Sequence, residues 1–235
     1  AVARMFCDIR LPDGQPFDGD PRYILERVIA KAADAGFSPT VGAELEFFYF
    51  KDANSAETLD VGSHFDLTSL DYASDLRRDT VLTLEGMGIP VKYSHHELGN
   101  SQHEIDLRAT DALAMADSVM TYKLVVKEIA AKHGVFASFM PKPLNDQPGS
   151  GMKVHMSLFD EEGNNAFYAP DDVKGWGLSS IAHGFMAGIL DHANELSLIT
   201  NQYVNSYKRL TADELAPTKV AWTRSNREAI MRVPA

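Results

Sequence analysis

The stretch Gly-Ala-Glu-Leu-Glu-Phe-Phe-Tyr-Phe, residues 42–50, holds two carboxylates one residue apart within an otherwise apolar run. Its aromatic and aliphatic residues predict a β-strand over 41–50. Because side chains alternate between the two faces of a strand, Glu44 and Glu46 should project from the same side. Burying two like charges beside aromatic rings is unfavourable unless a cation lies between them, and Mg²⁺ or Mn²⁺ prefers carboxylate oxygen. The alternative is an edge strand with one solvated face.

A second acidic cluster favours the interpretation as a cation site over that of an edge strand. Residues 95–108 read His-His-Glu-Leu-Gly-Asn-Ser-Gln-His-Glu-Ile-Asp-Leu-Arg. Glu97 precedes a Gly-Asn-Ser turn signal, and Glu104 opens a strand-like alternation after it. A hairpin return would bring both carboxylates beside Glu46, which predicts an oxygen-rich cation site. His95 is interpreted as an ordinary hydrogen-bonded or surface histidine.

The rest of the chain alternates between strand and helix patterns. We predict helices where a cap residue precedes an apolar period and strands where short apolar runs lie between turn signals. The helices are predicted over 21–33, 72–86, 112–133 and 177–198, and the further strands over 4–9, 89–93, 136–139 and 152–158. Several helices against a mostly antiparallel or mixed sheet give an α+β fold.

Composition and charge are compatible with a cytoplasmic location and exclude some classes of partner. The 235 residues carry 22 basic and 33 acidic side chains, a net charge of −11, which argues against nucleic acid or an anionic membrane as partner. The single cysteine, Cys7, excludes an internal disulfide framework and suits a reducing compartment. The sequence has neither an apolar run of the roughly 18–20 residues that a membrane span needs nor a signal-peptide pattern.

Six blocks together resemble class I glutamine synthetase, in the order that this family has them. They are 42–47, 95–104, 137–143, 149–157, 205–210 and 226–234. The blocks 95–108 and 200–210 are similar to an actinobacterial-type branch that includes polyamine-using members. The resemblance implies a curved, mostly antiparallel half-barrel sheet flanked by helices.

The resemblance also implies a reaction. Glutamate attacks the γ-phosphate of ATP through its side-chain carboxylate, and ammonia displaces phosphate from the γ-glutamyl phosphate to give glutamine. The alternatives are a γ-glutamylpolyamine or γ-glutamylamide ligase, or a non-catalytic family member that keeps the fold.

Residue roles follow from the same motifs. A first Mg²⁺ or Mn²⁺ is expected on Glu46, Glu97 and Glu104, with Glu44 contributing to a second, nearer the nucleotide. Phosphate or nucleotide contacts are expected from Lys153, His155, Ser157, Arg227 and Arg232, of which Arg227 also counts as catalytic. Gly149 and Arg209 are expected to bind the substrate glutamate. Glu214 is the candidate general base for the incoming amine.

Three positions depart from the family pattern. Lys153 stands where the family has a metal-binding histidine, and an ammonium has no lone pair for a metal. It could replace the cation's charge or point into solvent. Leu215 stands where a flap glutamate belongs, so that Glu214 comes one residue early, and Pro148 replaces a frequent asparagine.

By the same resemblance, residues 1–235 are the central part of a catalytic domain. An N-terminal β-rich domain and the C-terminal end of the catalytic domain are then absent from this stretch. The isolated chain is therefore predicted to be inactive, and the full-length protein is predicted to be a dodecameric homo-oligomer. The oligomeric state of the chain itself is left open.

Overall fold

The computed structural model describes residues 3–64, 66, 70–174, 176–211 and 216–234. The helices are α1 (Pro21–Asp34), α2 (Ser74–Gly86), α3 (Ala112–Lys132), α4 (Ser180–Asp191), α5 (Ala193–Thr200) and α6 (Val204–Arg209). The strands are β1 (Ser38–Phe50), β2 (Val91–His96), β3 (Gln102–Leu107), β4 (Thr110–Asp111), β5 (Phe136–Ser138), β6 (Met152–Phe159), β7 (Lys219–Thr223) and β8 (Ala229–Arg232).

Strand β1 is the centre of the main sheet. It pairs antiparallel with β3, β4, β5 and β6, and β2 extends the sheet beyond β3. Strands β7 and β8 form a separate parallel pair. The predicted α+β class and the mostly antiparallel sheet are confirmed, and the main sheet is open rather than a closed barrel.

One face of β1 forms the hydrophobic core. Leu45, Phe47 and Tyr49 are almost fully buried, and helices α2 and α3 pack against this face. The Tyr122 hydroxyl of α3 donates to the Leu45 carbonyl oxygen over 3.3 Å, which fixes that helix to the strand. Polar side chains on the other face of β1 point toward a cavity.

The predicted hairpin between the two halves of the second acidic cluster is confirmed. Strands β2 and β3 pair antiparallel, with His95 opposite Glu104. The turn closes where the backbone N–H of Glu97 donates to the Gln102 carbonyl over 2.7 Å. Ser101 adopts φ 55° in this turn, and its N–H donates to the Asp60 carboxylate over 2.9 Å.

Two predicted elements are wrong. Residues 4–9 form no strand, because Ile9 makes its backbone hydrogen bonds to Asp20 and Phe17 of a local loop instead of to a neighbouring strand. The helix predicted over 177–198 is divided into α4 and α5 at His192, whose φ of −101° and ψ of 13° interrupt the helical bonds. Within the described ranges, no helix combines the length and the apolar character needed to cross a bilayer.

Candidate active site

A cavity of about 1310 Å³ opens over the polar face of β1. It is larger than the roughly 300–1,000 Å³ of common small-ligand pockets, so it has room for two substrates. The predicted site residues that line it are Glu44, Glu46, Glu97, Glu104, Gly149, Lys153, His155, Ser157, Arg209, Arg227 and Arg232. The remaining one, Glu214, lies outside the described residues, as does Leu215.

Three carboxylates converge as the two acidic motifs predict. Glu46 lies on β1 directly opposite Glu104 on β3, and Glu97 follows the end of β2. One ligand oxygen from each lies within 4.8 Å of the others. The backbone N–H of Gly151 holds Glu46 by donating to its Oε2 over 2.8 Å.

Burial and mutual interaction shift the pKa values of these three carboxylates. Burial, followed by the neighbouring Glu97, raises the pKa of Glu104 to about 9. Burial also raises the pKa of Glu46. Burial of Glu97 opposes its ionisation, but hydrogen bonds with His95 and Glu104 lower its pKa to about 2. A divalent cation bound to these oxygens would favour the ionised form of all three carboxylates.

Lys153 reaches into the carboxylates from β6. Its Nζ lies 3.0 Å from Oε2 of Glu44 and 2.9 Å from Oε1 of Glu104. It lies 3.5 Å from Oε1 of Glu46. Register explains the contact, because Lys153 is the cross-strand partner of Glu44. The alternative that this lysine points away into solvent is therefore wrong.

Glu44 is held by two basic side chains. Its Oε1 lies 2.6 Å from Nε2 of His155, while its Oε2 accepts from Lys153. The hydrogen bond from His155, with a smaller contribution from Lys153, lowers the pKa of Glu44 to about 2 despite burial. His155, Lys153 and Ser157 lie at alternate positions of β6, as predicted for residues of one face.

The two expected metal positions differ in how well these residues fit a hard cation. Glu46, Glu97 and Glu104 offer converging oxygens, which is the donor set that Mg²⁺ or Mn²⁺ prefers. On the Glu44 side, both carboxylate oxygens already contact basic side chains, and Lys153 has no lone pair to offer. The residues therefore fit the first cation and do not fit the second.

The loop before β6 packs against Arg209 at the end of α6. A Cβ at Gly149 would meet the Pro141 carbonyl oxygen at 2.5 Å and Cγ of Arg209 at 2.7 Å, and one at Gly151 would meet Nη2 of Arg209 at 2.5 Å. Asn205 of the same helix accepts from the Lys142 N–H over 2.7 Å. The predicted pair of glutamate-binding residues, Gly149 and Arg209, is thus brought together, and the Pro141 carbonyl and Arg209 together leave no room for a side chain at residue 149.

Residues near the β7–β8 pair add positive charge to the cavity. Arg227 precedes β8 and Arg232 ends it, and both side chains are exposed and line the cavity. Arg224 also lines it and was not among the residues singled out from the sequence. These arginines belong to the same cavity as the carboxylates, although more than 100 residues separate the two groups in the chain.

Sequence reasoning missed three further residues. Asp106 lies opposite Glu44, and its buried Oδ1 has no hydrogen-bond partner. The period-two pattern from Glu104 could have identified it, because residues two apart on a strand share a face. His95 is hydrogen-bonded as interpreted, but its Nε2 lies 3.0 Å from Oε1 of Glu97 and so belongs to the site. His64 approaches the same oxygen at 3.6 Å, and no sequence signal identified it.

Comparison with known proteins agrees with this geometry. Residues 18–235 match the family described as glutamine synthetase, catalytic domain. The chain therefore belongs to the glutamine synthetase family.

Relatives and solved structures extend the match. The chain is 52% identical to the glutamine synthetase of Mycolicibacterium smegmatis, over 99% of this chain and 52% of that protein. It is 48% identical to that of Clostridium saccharobutylicum, over 100% of this chain and 53% of that protein. The glutamine synthetase of Plasmodium falciparum, solved by cryo-electron microscopy, superposes with a TM-score of 0.88 at 28% identity, covering 96% of this chain and 50% of that one. A chain described as "Apo GmaS without ligand" gives 0.78 at 33% identity, covering 85% of this chain and 48% of that one. The chain spans about half the length of the curated relatives it matches.

Proposed function

We propose that the protein carrying this chain ligates ammonia to the side-chain carboxylate of glutamate at the expense of ATP, giving glutamine. The observation that carries the proposal is the convergence of Glu46, Glu97 and Glu104 in a cavity that also contains Arg209. Family membership supplies the reaction class, and the charges in the cavity suit it. Phosphoryl transfer depends on positioning and on positive charge directed at the phosphate oxygens.

The reaction has two steps. The side-chain carboxylate of glutamate forms a bond to the γ-phosphorus of ATP, and ADP leaves. The amine nitrogen then attacks the acyl carbon of γ-glutamyl phosphate, and inorganic phosphate leaves. In both steps negative charge on phosphate oxygens must be stabilised.

The described residues of the cavity divide into three functions, and Glu214, outside the described residues, takes a fourth. A Mg²⁺ or Mn²⁺ held by Glu46, Glu97 and Glu104 would neutralise phosphate charge when bound. The phosphates of ATP are contacted by the basic and hydroxyl side chains of β6 and by the arginines near β8: Lys153, His155, Ser157, Arg227 and Arg232. Arg209, which packs closely against Gly149, pairs through its planar guanidinium group with a carboxylate of glutamate. Glu214 serves as the general base that deprotonates the amine.

A second candidate is a γ-glutamylpolyamine or γ-glutamylamide ligase with the same phosphate chemistry. It is favoured by Leu215, which stands where the flap glutamate of the family belongs. A non-catalytic family member is the third. The retained carboxylates and arginines count against it, because apolar replacements of buried charges are often neutral or stabilising and drift would remove them.

The setting of this activity is also a proposal. Residues 1–235 form the central part of a catalytic domain in a longer polypeptide, which assembles as a dodecamer in the cytoplasm. Residues from outside this stretch complete the site, so the isolated chain is inactive. Glutamate, ATP and ammonia or an amine are its partners, and neither nucleic acid nor membrane is.

The test follows phosphate release by the full-length polypeptide with ATP, glutamate and Mg²⁺. Ammonium, methylamine, putrescine and spermidine are supplied in parallel. Turnover with ammonium supports glutamine synthesis, turnover restricted to another amine supports the second candidate, and no turnover with any amine supports the third.

A variant links the activity to the site. Arg209→Lys removes the planar fork and is expected to raise KM for glutamate by about tenfold or more, the equivalent of about 1.4 kcal/mol of binding. Arg78→Lys is the matched control, because this arginine forms an exposed ion pair with Asp75, and exposed pairs of this kind contribute little. An equal effect of both variants would contradict the assignment of Arg209.

A further inference from the structure

Lys153 has the contacts of a bound cation rather than of a surface lysine. Its Nζ is within 3.0 Å of an oxygen of Glu44 and within 2.9 Å of one of Glu104, two carboxylates from different strands. Its Nζ also lies 3.5 Å from Oε1 of Glu46, so a third carboxylate faces the ammonium. A fixed positive charge thus lies between carboxylates that would otherwise need an ion.

The Lys153 ammonium neutralises charge on the Glu44 side of the acidic site. Glu44 has one oxygen on Lys153 and the other on His155. Asp106 lies in the same group, with its ligand atom within 4.8 Å of those of Glu44 and Glu104. Its buried Oδ1 has no hydrogen-bond partner. Lys153 contacts the other two carboxylates of this group, Glu44 and Glu104.

The single ammonium of Lys153 cannot neutralise the three carboxylates on the other side of the site. Glu46, Glu97 and Glu104 are three carboxylates, and Lys153 directs its single charge toward Glu44 as well. One ligand oxygen from each of these three carboxylates lies within 4.8 Å of the others. A divalent ion would find there the oxygen donors that Mg²⁺ and Mn²⁺ prefer.

We propose that Lys153 permanently takes the place of the second divalent cation, so that this protein binds a single Mg²⁺ or Mn²⁺, on Glu46, Glu97 and Glu104. A lysine cannot dissociate as an ion can, so one positive charge is supplied covalently and does not depend on metal concentration. The ammonium carries one charge and directs hydrogen bonds, whereas a divalent ion carries two. The role of the remaining ion in catalysis rests on the proposed function, whereas the inference about how many ions bind does not.

The test counts Mn²⁺ ions bound to the purified full-length protein, by titration followed with electron paramagnetic resonance and calorimetry. Nucleotide is absent, so that only the protein supplies ligands. The wild-type protein is expected to bind one Mn²⁺ per chain. Lys153→His exchanges the ammonium for an imidazole ligand and is expected to raise the number to two. Two Mn²⁺ per wild-type chain, or none, would overturn the proposal.

Carboxylate variants keep the test decisive if Lys153→His fails to fold. Glu46→Gln removes a ligand of the single ion and is expected to weaken its binding beyond the about 10- to 100-fold that loss of an outer-shell partner causes. Glu44→Gln is the matched control on the same strand face, since Glu44 binds Lys153 rather than the ion, and should change the affinity by less than threefold. Equal losses in the two variants would overturn the proposal.

The two experiments distinguish failure of this inference from failure of the proposed function. One Mn²⁺ per chain with no phosphate release from any amine would leave the inference standing and remove the function. Phosphate release with ammonium from a protein that binds two Mn²⁺ would do the reverse. The stoichiometry is read without substrates, so the two results are independent.

Discussion

The two faces of strand β1 have opposite environments although their residues alternate along one segment. Leu45, Phe47 and Tyr49 are almost fully buried against helices α2 and α3. Glu44 and Glu46 project the other way, into the cavity, among carboxylates and basic side chains. The apolar face therefore contributes to stability by removing surface from water, whereas the polar face retains charges that cost stability and serve binding.

The comparison also separates two kinds of charged residue. Asp71, just before α2, and Arg77 within it are both buried and form an ion pair, and Nη1 of Arg77 also lies 2.8 Å from Nδ1 of His103. Each charge in that pair has its partner inside the protein. Around Lys153, by contrast, three carboxylates face one ammonium, so a bound cation would balance the remaining charge. An imbalance of this kind distinguishes a binding site from a structural network.

The largest expected effect comes from the core face. Phe47→Ala removes a fully buried ring that packs edge-on against Tyr49 with ring centroids 5.0 Å apart. It should lower the free energy of unfolding by about 3–5 kcal/mol, measured by urea denaturation of the metal-free protein. Glu46→Gln, one residue earlier on the opposite face, should leave stability unchanged or raise it, because it removes uncompensated charge. A loss of similar size in both variants would contradict the division between the faces.

The polar face should also make stability depend on pH. The pKa of Glu104 is raised from 4.5 to about 9, so between these values the folded state binds more protons than the unfolded state. Stability of the metal-free protein should therefore fall as pH rises from 7 to 9, by at most about 1.4 kcal/mol per pH unit. The raised pKa values of Glu46 and Asp106 act in the same direction.

Thermal unfolding at a series of pH values measures this slope. Glu104→Gln removes the titrating group and should flatten the curve, and saturating Mn²⁺ should flatten it in the wild-type protein. Stability that rises between pH 7 and pH 9 would show that Glu104 is ionised in the folded protein.

A third prediction concerns the loop over the polar face. Gly149→Ala places a methyl group against the Pro141 carbonyl and Arg209, and should lower the free energy of unfolding by about 1–3 kcal/mol. Gly188→Ala in α4 is the matched control, because nothing lies within 4 Å of its Cβ position. It should be neutral or raise stability by up to about 1 kcal/mol, since alanine is the better helix former. Urea denaturation of both variants distinguishes close packing from a general effect of replacing glycine.

The smallest effect is expected at the start of α3, which packs on the core face. The Asp111 carboxylate accepts from the Ala114 N–H over 2.9 Å and caps the helix. Asp111→Ala should lower the free energy of unfolding by about 1 kcal/mol. Its affinity for Mn²⁺ should stay that of the wild-type protein, and a weaker affinity would show that the two faces are coupled through this helix.

The sequence predicted a good part of the fold for local reasons. Asp20 and Asp111 were expected as helix caps, and both accept a backbone N–H at the start of their helices. The hairpin between Glu97 and Glu104 followed from its turn residues. The strand expected over 4–9 was wrong, because a strand also needs a neighbour and the sequence pattern cannot supply one.

The candidate site divides in the same way. Alternation predicted that Glu44 and Glu46 share a face, and the two acidic motifs predicted that Glu97 and Glu104 join them. The sequence could not decide whether the Lys153 side chain points into solvent or toward the carboxylates, because that depends on which strand lies beside β1. Nor could it find His64, which comes to Glu97 from a loop with no strand or helix pattern.

The amino-acid sequence by itself determined most of the helices and central strands, the family motifs and the chemical types of the site residues, because these follow from local spacing and side-chain chemistry. Only the tertiary structure decided which charges meet. The register of β1 with β3 and β6 sets Asp106 and Lys153 on either side of Glu44, and a shift of one residue would turn each of them to the opposite face. The balance of charge in the cavity is thus a property of strand pairing, which depends on contacts between residues far apart in the chain.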